Sequence, residues 1–150
     1  MEDTILYALL AVFFIAAFPL LEIWLAIPAG LALGLDPYTT AAVAFIGNAL
    51  PVALIILFFD RIRIWIDNRS SREPKEPGRA RRRFDALWNR YGLPAVALTA
   101  PVTVGTHMVA FIVMAAGSKA WEATAWMLFG LLVWTVLFTV SFTLGLSLFT

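Results

Sequence analysis

The chain has 150 residues, of which 61% are hydrophobic and only 14% are charged, and its mean hydropathy is +0.85. A soluble domain carries about 25% charged residues, so the composition predicts an all-α integral membrane protein, a single membrane domain over residues 1–150. The absence of cysteine excludes disulfides and thiolate chemistry. A single histidine argues against a zinc site, and we expect no metal or other cofactor.

The first apolar segment, residues 4–35, contains one charged residue, Glu22, bracketed by Pro19 and Pro28. As one helix it would measure about 48 Å, too long for a hydrocarbon core of about 30 Å. We therefore expect both prolines to be structural breaks and the segment to fold as a re-entrant hairpin. A carboxylate at this depth costs several kcal/mol unless it is paired, solvated or protonated. Glu22 is thus a candidate proton or cation site; the alternative is a carboxylate that only bonds freed backbone groups.

The second apolar segment, residues 38–59, is long enough to cross the membrane once. Asn48 and Pro51 lie near its middle, and we expect them to interrupt the helix there. The Asn48 amide is a candidate substrate-binding group. The alternative is a helix–helix hydrogen bond, worth about 0.6 kcal/mol on average.

A polar connection over residues 60–92 carries ten of the eleven Lys and Arg residues. This bias predicts that the connection is cytoplasmic. Its second part has the periodicity of a short interfacial helix. We expect four arginines there to contact anionic lipid rather than nucleic acid, namely Arg79, Arg81, Arg82 and Arg83.

The third segment, residues 93–117, is interrupted near Pro101 and Gly105, and the fourth, residues 121–149, is again a full span. Histidine changes its charge near physiological pH, so His107 is a candidate proton-relay partner of Glu22; the alternative is a satisfied buried imidazole. The hydroxyls of Thr103 and Thr106 are candidate ion ligands, although such threonines often bond their own helix.

The two apolar halves share a faint repeat, because the spacing from Gly34 to Gly47 equals the spacing from Gly117 to Gly130. This match predicts two inverted-repeat halves, residues 4–59 and 93–150, each a broken hairpin followed by a transmembrane helix. With both hairpins re-entrant and the 60–92 connection cytoplasmic, both termini lie outside. Four simple spans would instead place both termini in the cytoplasm.

Three motifs, in this order and spacing, resemble the small multidrug export protein family of prokaryotic membrane proteins: Leu21-Glu22-Ile23-Trp24-Leu25-Ala26-Ile27-Pro28, Gly47-Asn48-Ala49-Leu50-Pro51 and Arg90-Tyr91-Gly92. The resemblance implies the bacterial or archaeal cytoplasmic membrane and a distant relation to DedA-type (VTT-domain) proteins. Family members commonly carry an arginine where this chain has Trp24, and a Pro-x-Pro-Gly-Thr-Gly motif at the second break. The missing arginine removes the obvious partner for Glu22. Either another group neutralises the carboxylate, with His107 beside the break as a candidate, or it is protonated, or the chemistry of the family is altered in this chain.

Together these features predict a transporter, coupled to H⁺ or Na⁺, of an amphipathic small molecule. Two alternatives are a DedA-like carrier or flippase for an isoprenyl phosphate or another anionic lipid, and a non-transporting accessory membrane protein. No catalytic constellation is legible, so we expect no enzymatic activity. One copy has few spans to enclose a substrate path, and small residues permit close helix contacts, so we expect a homodimer in contact with membrane lipids.

Overall fold

The computed structural model describes residues 2–59, 61, 64, 88 and 92–147. The described residues are almost entirely helical and contain no strand. Nearly all of the 60–92 connection, including Arg79, Arg81, Arg82 and Arg83, lies outside the described residues.

Six helices are described. They are α1 (Glu2–Ala17), α2 (Glu22–Ala32), α3 (Pro37–Leu57), α4 (Gly92–Val102), α5 (Thr106–Ala115) and α6 (Ala120–Ser147). The last turn of α4, Ala100–Val102, is a 3₁₀ turn. Among these, α3 and α6 are long and apolar enough to cross a membrane. The other four have 10 to 16 residues, which is shorter than the roughly 20 that a span requires.

The chain leaves the helix between α1 and α2 at residues 18–21 and between α4 and α5 at residues 103–105. We call these break 1 and break 2. Pro19 lies in break 1, where its ring disfavours a helical Phe18 and its nitrogen has no proton to donate. Gly105 ends break 2 with φ +92° and ψ 149°, a conformation that is accessible essentially only to glycine.

Two of the expected proline breaks are wrong. Helix α2 continues through Pro28, and α3 continues through both Asn48 and Pro51. A proline inside a helix removes one hydrogen bond and bends the helix, but packing on neighbouring helices can hold the remaining turns together. Both Asn48 and Val52, the residue after Pro51, are buried in such contacts.

The same backbone hydrogen bonds recur at matching positions of the two halves. At the end of α2, Gly34 and Leu35 donate to Leu31 and Gly30; at the end of α5, Gly117 and Ser118 donate to Met114 and Val113. Gly34 and Gly117 both have positive φ, +82° and +89°, as helix C-terminal caps of this type require. The first-turn bond from Thr40 to Asp36 in α3 is likewise repeated from Ala123 to Lys119 in α6.

Two apolar clusters make up the core. One joins α1 and α2 to Ala44 in α3 and Leu131 in α6, and the other joins α4 and α5 to Val52 in α3 and Met127 in α6. The early part of α3 therefore shares a cluster with the later part of α6, and the reverse holds for the other cluster. This pairing indicates that α3 and α6 run antiparallel.

Glycines set the closest helix contacts in each half. A Cβ on Gly47 of α3 would lie 2.6 Å from the carbonyl oxygen of Phe13 in α1, and a Cβ on Gly130 of α6 would lie 2.6 Å from that of Ala97 in α4. Gly30 similarly leaves room for Thr40. These three glycines are occupied by contacts within the chain.

Candidate functional site

Glu22 is the first residue of α2, directly after break 1. It is 1% exposed and has a φ of +45°, the only positive φ among the described residues other than glycine. A non-glycine residue in this conformation is uncommon and costs about 1–3 kcal/mol. The surrounding packing therefore holds the carboxylate in a position that the backbone alone would not choose.

Break 2 brings the beginning of α5 against this carboxylate. A Cβ on Gly105 would lie 2.7 Å from Glu22 Oε1, so only glycine permits this approach. The next two residues, Thr106 and His107, belong to the first turn of α5 and are 1% and 4% exposed. The carboxylate thus lies at the N-termini of both α2 and α5, where the partial positive charge of each helix end favours an anion.

Four buried polar residues meet at this point, and we call them the polar cluster: Glu22, Asn48, Thr106 and His107. Glu22 Oε1 lies 3.0 Å from His107 Nδ1 and 3.0 Å from the hydroxyl of Thr106. The same hydroxyl lies 2.8 Å from Oδ1 of Asn48, which is completely buried in α3. The cluster therefore links both hairpins to α3 at one point between the two apolar clusters.

Which hydrogen bonds form in the polar cluster depends on whether Glu22 carries a proton. The Thr106 hydroxyl carries a single hydrogen, so it donates to either Glu22 or Asn48 but not to both. With Glu22 ionised, Thr106 donates to the carboxylate, and the second contact is satisfied by turning the Asn48 amide so that its NH₂ donates to Thr106. With Glu22 protonated, the carboxyl donates to Thr106, which then donates to Asn48. The orientation of the Asn48 amide is thus coupled to the charge of Glu22.

Three polar atoms of the cluster have no hydrogen-bond partner in the described part of the chain: Glu22 Oε2, Asn48 Nδ2 and His107 Nε2. Buried polar atoms are normally paired, and an unpaired one requires an explanation such as a bound ligand or a functional role. The charge of Glu22 also lacks a permanent partner. The described basic residues, Arg61 and Lys119, lie elsewhere, over the Phe58 ring and beside Glu122.

A cavity of about 760 Å³ lies next to the polar cluster and includes Glu22 in its wall. Break 1 contributes Pro19 and Leu20, the end of α4 together with break 2 contributes residues 101–105, and the remaining wall is aromatic: Trp24, Phe138 and Phe142. This volume falls within the range of about 300–1,000 Å³ that is typical of small-molecule sites. Within the part of the chain that the structure describes, none of the lining side chains is basic.

The structure brings together most, but not all, of the site residues predicted from the sequence. Glu22, Asn48, Thr106 and His107 come together, whereas Thr103 does not join them. The Thr103 hydroxyl bonds the carbonyls of Thr99 and Ala100, as the alternative interpretation of these threonines predicts. No group of three or more potential metal-ligating His, Cys, Asp or Glu side chains occurs in the described ranges.

The aromatic wall was not predicted. Phe138 and Phe142 are four residues apart, so they share one face of α6, but this spacing alone does not distinguish a cavity from lipid contact. The sequence singles out Trp24 by its place at the expected arginine position. In the structure it is 47% exposed and lines the cavity.

Residues 22–137 of the chain match the profile of a family described as “Putative small multi-drug export protein”. No curated protein and no solved structure matches the chain.

Proposed function

The chain belongs to the small multi-drug export protein family, and on this basis we propose that it is a membrane transporter that couples proton movement to export of an amphipathic small molecule. The observation that carries the proposal is Glu22, a residue of the cavity wall whose buried carboxylate lies 3.0 Å from His107 Nδ1. A buried acid–imidazole pair beside a cavity has the groups needed to hold and release a proton.

The surface supports a lipid environment. Large apolar side chains are exposed along α1, α3 and α6, and they include Phe14, Leu54, Phe129, Val136 and Leu144. Contiguous exposed apolar surface on this scale is typical of membrane contact. Helices α3 and α6 supply two candidate spans, and we infer that α1–α2 and α4–α5 are re-entrant hairpins whose breaks meet near the midplane.

An inverted repeat is supported by the equivalent positions of the two halves. The buried positions of α2 after Glu22, namely Ile23, Ala26, Ile27 and Gly30, correspond one by one to Thr106, Val109, Ala110 and Val113 in α5. The antiparallel course of α3 and α6 then relates the two halves by a two-fold axis in the membrane plane. Such repeats place their binding sites at the interrupted segments.

Charge supports the proposed orientation. With the 60–92 connection in the cytoplasm, the antiparallel course of α3 and α6 puts Lys119, before α6, on the cytoplasmic side as well. Asp36, before α3, and Asp3 in α1 then lie outside. This arrangement follows the positive-inside rule, and it holds only when both interrupted segments return to the side from which they enter.

Phe59 and Phe142 occupy matching positions of the two halves but differ in their exposed fraction. Phe59, at the end of α3, is 4% exposed and packs on the Phe111 ring with centroids 5.2 Å apart. Phe142, at the equivalent position of α6, is 36% exposed and lines the cavity. Alternating access requires such an asymmetry, since one side is open while its symmetric counterpart is closed. We infer that the cavity faces the outside and that Phe59 and Phe111 close the cytoplasmic side.

The alternative cargo, an anionic lipid head group, is less well supported, because no Arg or Lys of the described residues lines the cavity. The homodimer stays a prediction of its own, and a monomeric mass in mild detergent would contradict it. A purely structural role predicts that Glu22→Gln alters thermal stability but no flux.

The test uses proteoliposomes loaded with a pH-sensitive dye and exposed to a panel of cationic, anionic and neutral amphipathic solutes. We expect at least one solute to change the internal pH with the native protein, and this change to disappear with Glu22→Gln. Lys119→Gln is the control, because it also removes one charge but lies away from the cavity. If every solute leaves native-protein vesicles indistinguishable from protein-free vesicles, coupled transport is refuted.

A further inference from the structure

We infer, building on the proposed function, that the cargo is a hydrophobic monovalent organic cation, and that it occupies the cavity in exchange for one proton of the Glu22–His107 pair. The inference concerns the charge class of the ligand, which the family name does not specify.

The balance of charge at the site favours a cation. Among described residues, His107 is the only titratable side chain that contacts Glu22, and the other two members of the polar cluster, Thr106 and Asn48, are neutral. When the pair loses its mobile proton it retains one negative charge in a buried place. A cation in the adjoining cavity restores neutrality, whereas an anion would bring a second negative charge into the same low-dielectric region.

The wall of the cavity favours an organic cation over a metal ion. Trp24, Phe138 and Phe142 present aromatic surface, and the other lining side chains are mostly apolar. Aromatic faces attract cations through the ring quadrupole, by about 0.5–2 kcal/mol for each well-placed contact. The lining therefore suits an organic cation with apolar substituents better than a hydrated metal ion, for which it offers few oxygen ligands.

The Glu22 carboxylate also has an oxygen that can contact a cation. Glu22 Oε1 is engaged by Thr106 and His107, but Oε2 has no partner among the described residues. Oε2 is therefore the carboxylate atom that we assign to the cation, since Oε1 already has its partners in α5. The exchange is balanced: the protonated site and a free cation give the cation-bound site and one released proton.

The experiment compares two probes of nearly equal size and opposite charge, tetraphenylphosphonium and tetraphenylborate. Binding to the purified full-length chain in mild detergent is measured by calorimetry and by quenching of tryptophan fluorescence. We expect the phosphonium to bind at least tenfold more tightly than the borate. Its affinity should rise up to tenfold per pH unit over the range in which the site loses its proton, and binding in weak buffer should release up to one proton per site.

Two variants identify the site. Glu22→Gln should abolish both the pH dependence and the proton release. Phe142→Ala should weaken phosphonium binding about three- to tenfold but leave the proton release per bound probe unchanged. Phe129→Ala, a change of the same size on an exposed face of α6, should leave the affinity within twofold of the native value.

Equal binding of the two probes, or phosphonium binding that is unchanged by Glu22→Gln, would overturn the inference. Either result leaves the proposed function standing if a non-cationic solute still drives Glu22-dependent proton movement in proteoliposomes. Conversely, Glu22-dependent phosphonium binding without any proton movement across the vesicle membrane would support the cation site and refute transport.

Discussion

Gly105 offers the sharpest test of the site, because its missing side chain makes room for the Glu22 carboxylate. In Gly105→Ala, the new methyl group would lie 2.7 Å from Glu22 Oε1, at a backbone φ of +92° and ψ of 149°. The backbone conformation alone costs an alanine about 1–3 kcal/mol. The steric overlap adds about 1–3 kcal/mol, the usual cost of an extra methyl group in a packed interior.

Gly117→Ala is the matched control. Its φ is +89°, yet a Cβ there would meet nothing within 4 Å, so it carries only the backbone cost, about 1–2 kcal/mol. We expect Gly105→Ala to lower the free energy of unfolding by more than Gly117→Ala, and to abolish pH-dependent phosphonium binding. Gly117→Ala should keep that binding.

A double-mutant cycle isolates the contact. Glu22→Ala removes the carboxylate, so Gly105→Ala should cost about 1–3 kcal/mol less in that background than in the native chain. The measurement is equilibrium unfolding in mixed micelles, followed by tryptophan fluorescence. Additive effects of Gly105→Ala and Glu22→Ala, or equal costs for the two glycine variants, would refute the proposed apposition of the two breaks.

Three further predictions concern packing, pH and access. Gly47→Ala should destabilise the chain by about 1–3 kcal/mol, because its Cβ would lie 2.6 Å from a backbone oxygen. Gly145→Ala, with open space around it, should be neutral or stabilising. Equal effects of the two substitutions in unfolding assays would contradict the close contact at Gly47. A hydrogen bond from Thr39 lowers the pKa of Asp36 below its usual 3.8. The contribution of the ionised Asp36 to stability is therefore present above about pH 4 and is lost as the pH falls through the lower folded-state pKa. Asp36→Asn should flatten this acid-dependent part of the melting temperature, and an unchanged acid profile would count against the cap. The chain has no native cysteine, so Phe142→Cys should react with an impermeant maleimide added outside cells and Phe59→Cys should not; the opposite labelling pattern would reverse the proposed orientation.

Local chemistry made much of the architecture predictable. The apolar runs predicted two long helices and two interrupted segments, and the structure has α3, α6 and the two breaks in those places. Asp36 followed by Pro37 begins α3 through equally local interactions, since the aspartate accepts hydrogen bonds from two backbone N–H groups. The same local reasoning failed at Pro28 and Pro51, because the packing that keeps those helices continuous comes from residues distant in sequence.

The sequence by itself determined which groups are unusual: one deep carboxylate, one histidine, an asparagine in an apolar run, and glycines at equal spacing in the two halves. Only the tertiary structure decided which of them meet. Glu22 and His107 are far apart in the chain and 3.0 Å apart in space, because α3 and α6 run antiparallel and the two breaks contact each other between two separate apolar clusters. Thr103 and Thr106 show the same division: they are close neighbours in the chain, yet one bonds its own backbone and the other completes the cluster, since α5 begins between them.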